Sequence, residues 1–287
     1  MIERTDIYRP TAVLGGLMVL LAVIGGQASM TAAQRMAVLA PDATELSKKA
    51  VPICAEAFSK RFMILDSDMA EAAFKAARPE TPFNMTSAEA RALASVIGVD
   101  TLMLVKAETL RRSSLERPEY YETSVVLYIV DGRSGLLERF EHDSVDAPSP
   151  AEAQKFALER AAGAARAIAA ALYDHHAIDI SRPKMEEIAG DAETPGFKPP
   201  APYKRIKPDY PRSAYLYNIR AVVEVEVDIA ESGNVTRTSV VRWAGYGLDD
   251  AVVDAVKEMN WRPAMRDGKP LAMRVLLRYN FTKIEKE

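Results

Sequence analysis

One cysteine and three histidines in 287 residues leave little material for nucleophilic, redox or metal chemistry. A single cysteine excludes an intrachain disulfide and any site built from several thiolates. Cys54, within Ala50-Val51-Pro52-Ile53-Cys54-Ala55, is expected early in a helix as a small buried hydrophobe. No sign of charge dominates: 37 Lys and Arg stand against 40 Asp and Glu, a net charge of −3. The clustered basic surface that nucleic acid requires is therefore not expected. With 48% hydrophobic and 27% charged residues, the composition is that of a folded globular chain. Its length suits two domains at roughly 100–200 residues each.

The histidines do not assemble into a site. His142 is expected at the solvated end of a strand. His175 and His176 are neighbours at the end of a helix, and adjacent helical residues face different ways, whereas helical zinc ligands sit at i and i+4. Their expected role is that of helix-end cations. Ser134, in Gly132-Arg133-Ser134-Gly135, lies in a hairpin turn without the spacing of a nucleophile elbow. The chain is read as a non-enzyme, with no cofactor and no metal.

The amino terminus fixes the compartment. Thr11 to Ala33 carries no charge, Ala12 to Gly26 is almost wholly apolar, and Arg4 and Arg9 precede it. Residues 1–33 are thus a secretory signal or a membrane anchor. A signal has an apolar core followed by small residues at the cleavage site, which Gly26-Gln27-Ala28 before Ser29 supplies. An anchor needs about 20 apolar residues, which the stretch from about residue 11 reaches only if Gln27, Ser29 and Thr31 are included. A strand expected from Arg35 leaves almost no tether after a membrane helix, so cleavage is the favoured reading. Either way the remainder is expected in the periplasm.

Residues 35–178 read as an α/β layer with a mixed sheet. Short apolar runs at Ala37–Ala40 and Phe62–Leu65 flank a helix over about 44–59. Helices follow over 68–77 and 87–97; the second opens on Thr86 with Glu89 three residues on, a capping box, and closes on Gly98. Thr101–Val105, Tyr121–Val130 and Leu136–His142 are strands, the last two joined by the turn Asp131-Gly132-Arg133-Ser134-Gly135. Pro150–Tyr173 is a long helix with Ala157, Ala161, Ala164, Ala165, Ile168 and Leu172 on one face. Residues 180–204 lose all hydrophobic period and gather prolines, as a semi-rigid interdomain linker does.

Residues 205–283 regain a sharp pattern. Val223, Val225, Val227 and Ile229 alternate with Glu224, Glu226 and Asp228, a half-buried strand whose carboxylates form a solvated row or a surface for a basic partner. A turn at Glu231-Ser232-Gly233-Asn234 returns the chain through Val235–Trp243. Leu248, Ala251, Val252, Ala255, Val256 and Met259 make the stripe of an amphipathic helix. Leu271, Met273, Val275, Leu277, Tyr279 and Phe281 then alternate with polar residues in a long last strand. The fold class is α+β in two domains, the second a ββαβ unit with a three-stranded antiparallel sheet and one main helix.

That order resembles the TonB carboxy-terminal domain family. Tyr210-Pro211-Arg212-Ser213-Ala214 is similar to its entry motif, Ser232-Gly233-Asn234-Val235 to its hairpin, and Gly245-Tyr246-Gly247-Leu248-Asp249 to its approach to the helix. Trp261-Arg262-Pro263-Ala264 and Gly268-Lys269-Pro270 resemble its exit and last turn. Met259 and Ala221 depart from the common tryptophan and glycine, and Lys207 stands where the transducer has glutamine. The apolar amino-terminal segment also lacks the histidine of transducing anchors. The first domain resembles, in its order of elements, the TolB amino-terminal domain and the related CsgG-like domains.

The resemblance implies a periplasmic binding protein of the cell envelope that takes an extended peptide of an envelope or outer-membrane receptor partner, with a link to an inner-membrane proton-channel complex and energy-coupled transport. If the last strand is a sheet edge, its main-chain groups are a template for such a peptide. The expected docking residues are Lys207, Tyr210, Arg274, Val275, Leu276, Leu277, Arg278, Tyr279 and Asn280, with Arg274, Arg278 and Asn280 facing outward. The alternative is a structural or assembly component that forms a homodimer through the same edge.

Overall fold

Alternation of apolar residues on both faces of one strand decides the first lobe. In the computed structural model, which describes residues 34–172, 186–187 and 196–282, the elements run β1 (Arg35–Leu39), α1 (Glu45–Phe58), β2 (Met63–Ile64), α2 (Ser67–Ala77), α3 (Ser87–Ile97), β3 (Thr101–Arg112), β4 (Tyr120–Asp131), β5 (Leu137–Ala147) and α4 (Pro150–Leu172). The five-stranded sheet has the order β2-β1-β3-β4-β5. β1 is parallel to β2 and β3, whereas β3, β4 and β5 are antiparallel neighbours. Val125, Leu127 and Ile129 of β4 pack with Phe58 of α1 and Ala161 and Ala165 of α4. Val126, Tyr128 and Val130 pack on the opposite face with Leu93 and Ala94 of α3. A strand covered on both sides needs an unbroken apolar run, and this explains why the run of β4 has no polar partner face.

The capping box of α3 is formed: the Thr86 side chain accepts from the Glu89 amide, and Glu89 accepts from the Thr86 amide at 2.7 Å. Gly98 closes the helix in the left-handed region, as the sequence leads one to expect.

The second lobe comprises β6 (Glu186–Glu187), β7 (Phe197–Lys198), β8 (Ala201–Pro202), α5 (Arg212–Leu216), β9 (Ala221–Ile229), β10 (Val235–Arg242), α6 (Leu248–Lys257), β11 (Trp261–Arg262), β12 (Ala264–Arg266), β13 (Lys269–Leu271) and β14 (Met273–Phe281). Val223, Val225, Val227 and Ile229 are fully buried beneath Leu248, Val252 and Val256 of α6. The main sheet is ordered β10-β9-β14-β6, one strand more than the expected three, because β6 adds a two-residue parallel pairing to β14. Parts of the segment read as a linker are paired: β7 with β12, and β8 with β11. The amino-terminal segment 1–33 and His175-His176 lie outside the described residues. Among the described residues, no helix is long and apolar enough to cross a membrane.

One hydrophobic cluster crosses from lobe to lobe. Leu102, Leu104 and Tyr128 of the first lobe share it with Trp243, Ala244 and Tyr246 of the second. Tyr128 donates to the Ala244 carbonyl at 3.2 Å, and Trp243 Nε1 to the Gly135 carbonyl at 3.3 Å. Asn84 serves as a substitute peptide group at the open end of β9. Its amide nitrogen donates to the carbonyls of Val222 and Trp243, and its oxygen accepts from the Val222 amide. Gly245 permits the approach: its φ is +74°, and a Cβ there would lie 2.4 Å from the Phe140 ring.

Candidate functional site

The outer edge of β14 is the feature on which a visiting chain could pair. β14 is hydrogen-bonded to β9 along its whole length, Met273 opposite Ile229 through Phe281 opposite Ala221. On its other side β6 reaches only Met273 and Arg274. Among the described residues, no strand lies beside Val275 to Phe281 on that side. Side chains of a strand alternate between faces, so Val275, Leu277 and Tyr279 turn toward the core as partly buried packing. Leu276, Arg278 and Asn280 are exposed on the opposite face, Leu276 at 59%.

Arg274 does not follow its expected outward role. It is buried, with Nε donating to Asp228 Oδ1 at 2.6 Å and Nη2 to Oδ2 at 2.9 Å. The carboxylate row of β9 is likewise not a solvated face. Glu224 and Asp228 are buried; Arg242 and Arg278 lie 3.4 and 3.5 Å from the two oxygens of Glu224. Register explains the correction. Arg274 stands opposite Asp228, Arg278 opposite Glu224, and Arg242 opposite Glu224 from the other side, so charges that look like a display along one strand are cross-strand pairs within the sheet.

At the Phe281 end of the edge lies a cavity of about 370 Å³. Tyr210, Tyr215, Tyr279 and Phe281 supply its aromatic walls, and Lys207 and Asn280 stand among its polar lining. Pro208 and Pro211 flank Tyr210, and Pro211 is the N-cap of α5, in an extended conformation with ψ 147°. α5 is only five residues long and is fixed by Ala214, fully buried, and by Ser213, which donates to the Tyr246 carbonyl at 2.7 Å. The Tyr210 hydroxyl donates to the Ile219 carbonyl at 2.5 Å, and its ring stands edge-on to Tyr215 and 6.0 Å from Phe281. Burial raises the pKa of Tyr210 and Tyr279 above the usual phenol range, while Arg220 and Arg205, respectively, pull in the opposite sense. Both phenols therefore stay neutral, and that of Tyr210 is a donor.

The expected Lys207, Tyr210, Tyr279 and Asn280 thus come together at one place, whereas Val275 and Leu277 are turned inward and Arg274 is engaged elsewhere. Tyr215, Pro208, Phe281 and Thr282 also line the cavity and were not among the expected residues. Phe281 carries the same period as the core positions of β14, and Tyr215 sits on a helix too short to show a period.

His142 departs from its expected place at a solvated strand end. β5 continues to Ala147, so His142 is a mid-strand residue opposite Val126. Its ring meets Tyr217 edge-on at 4.5 Å and Tyr246 at 5.3 Å, at the junction of the lobes. Cys54 is fully buried, and burial pushes its thiol up to about 12. Ser134 remains a turn residue, its hydroxyl accepting from the Leu136 amide. Among the described residues, no group of three or more His, Cys, Asp or Glu side chains is gathered to hold a metal ion.

Residues 206–282 match the family described as Gram-negative bacterial TonB protein C-terminal. No curated protein sequence matches the chain. Among solved structures, the TonB carboxy-terminal domain of Pseudomonas aeruginosa is similar at 24% identity, over 36% of this chain and 97% of that one, with a TM-score of 0.28. A lipoprotein of Neisseria meningitidis is similar at 14% identity, over 49% and 99% of the two chains, with a TM-score of 0.30. A hypothetical protein of Chlamydia trachomatis gives 13% identity, 47% and 99% coverage, and a TM-score of 0.29.

Proposed function

With residues 206–282 a member of the TonB carboxy-terminal domain family, we propose that this envelope protein takes up an extended peptide of an outer-membrane receptor or other envelope partner along β14. The observation that carries the reading is the outer side of Val275–Phe281, beside which no strand lies among the described residues, running into the aromatic cavity. A peptide laid there gains main-chain hydrogen bonds, each contributing about 0.5–1.5 kcal/mol net, while its alternate side chains face the cavity. Tyr210 and Tyr279 form the walls, Lys207 offers a cation to the entering chain, and Asn280 offers amide donors and acceptors. The whole chain is then a binding protein in which a folded first lobe carries the docking lobe, and the chain itself performs no catalysis. Coupling to an inner-membrane proton-channel complex is a further part of this reading.

The test is an NMR titration of the full chain with synthetic peptides copied from periplasm-facing segments of outer-membrane receptors. Amide shifts confined to β14 and to residues 207–215 are the expected result. Shifts elsewhere, or none with any peptide, would overturn it.

The exposure of Leu276 on the same strand favours a second reading, pairing of two copies edge to edge. It requires a dimer that forms with rising concentration and protects the amides of Val275–Phe281 from exchange.

A further inference from the structure

Residues 215–217 join the docking cavity directly to the first lobe. Tyr215 lines the cavity. The next carbonyl, of Leu216, accepts from Arg112 Nη2 at 3.4 Å. The Tyr217 hydroxyl donates to Glu122 at 2.7 Å, and its ring closes on His142. Beside the same imidazole, and 6.1 Å from the Tyr217 ring, stands Tyr246, whose carbonyl holds Ser213 of α5. Both rings that touch His142 are therefore attached to the helix that walls the cavity.

The contact suits a neutral imidazole. Nε2 of His142 and the hydroxyl of Tyr246 are buried without a hydrogen-bond partner among the described residues. The charged groups around the ring are already engaged. Glu122 of β4 is paired with Arg112 of β3 at 2.7 Å, and Glu108 of β3 lies 3.5 Å from Lys106. On His142's own strand, Glu141 and Asp143 meet Arg139 and Arg160 at 3.4 and 2.6 Å. From the second lobe the facing groups are the neutral phenols of Tyr217 and Tyr246. Burial, the largest influence, outweighs the four carboxylates and holds His142 below the usual histidine range.

We propose that His142 is an acid-sensitive latch between the first lobe and α5, whose protonation releases the wall of the docking cavity. The consequence for binding rests on the docking reading; the latch itself is a property of the protein without a peptide. An imidazolium packed against two rings is partly desolvated and becomes a donor at both nitrogens. Glu122, which exerts the strongest pull of the four carboxylates, is the acceptor it would draw on, and Glu122 is the group that now holds Tyr217. The sign follows from linkage. The opened state binds the proton more readily than the closed one, so opening grows as pH falls below about 6.5. It levels off once the closed state is protonated too.

Hydrogen–deuterium exchange on the full chain without peptide, between about pH 8 and about pH 5, tests the latch after correction for intrinsic exchange rates. Opening of residues 212–219 is expected to rise on acidification, by up to roughly tenfold for each unit by which the imidazole pKa is lowered. The amides of β9, in the same lobe, are expected to hold their protection. In His142→Gln the rise is expected to vanish. No rise, or a rise undiminished in His142→Gln, overturns the proposal. Should that variant fail to fold, NMR titration of the wild-type imidazole decides instead: a midpoint at or above that of an unperturbed histidine overturns it. An acid-opened α5 in a protein that binds no peptide supports the latch and removes the docking reading alone.

Discussion

At the scale of single residues, three positions carry costs that the register and the burial impose. Arg274 and Asp228 form a bidentate pair inside the sheet. Arg274→Leu leaves Asp228 buried without its cation, which costs about 3–5 kcal/mol, whereas replacing both partners by apolar residues of similar volume costs far less. Urea unfolding of Arg274→Leu, Asp228→Leu and the double variant measures the difference; equal losses in all three would mean that the pair is not desolvated. Gly245→Ala adds a Cβ against Phe140 at a positive φ, with an expected loss of about 1–3 kcal/mol read from the same curves. The third position is Glu138, which burial, aided by Asp131, pushes up to about 7. A carboxyl whose folded pKa lies above its unfolded one destabilises the fold wherever it is charged, so stability on this account rises as pH falls through about 7 toward the unfolded value. Glu138→Gln is expected to raise the thermal midpoint at about pH 8 and leave it nearly unchanged at about pH 4. A gain of equal size at both pH values contradicts the assignment.

At the scale of elements, periodicity was a reliable guide wherever an element is long enough to repeat it. α3 with its capping box and the β9–β10–α6–β14 order were legible in the residues themselves. β11, β12 and β13 have two or three residues each, and α5 has five; so short a stretch has no period to read, and α5 forms a wall of the candidate site. The strand ends at His142 and Val105 were placed too early, because hydrophobicity stops there while the backbone ladder continues through polar residues. For β14 the expectation is asymmetric hydrogen exchange. Amides directed at β9 are protected, and those directed outward between Val275 and Phe281 exchange rapidly in the peptide-free chain. Protection of all of them in a dilute monomer would show that the edge is covered.

At the scale of the whole molecule, the lobes share a core, and this bears on how the chain unfolds. The sequence supplies one reporter for each lobe: its single cysteine, buried under α4 in the first, and its two tryptophans, Trp243 and Trp261, in the second. Alkylation of Cys54 and tryptophan fluorescence are expected to give one coincident unfolding midpoint in denaturant, as a single cooperative unit requires. Two midpoints would mean that the Tyr128–Trp243 contact and the Asn84 bridge do not couple the lobes. The same contacts set the orientation of β14 relative to the first lobe.

By itself the sequence determined the longer local elements and the kind of domain at residues 206–282, since turn chemistry, caps and the periods of two and 3.6 act over short stretches of chain. It also placed Lys207, Tyr210, Tyr279 and Asn280 on one candidate surface. Only the tertiary structure decided that Arg274 is engaged within the sheet, that Asn84 completes the end of β9, and that His142 packs against two tyrosines of the other lobe. Each of these depends on which residues of distant segments meet, and burial and pairing across such contacts reverse the role that a residue's type and neighbours suggest.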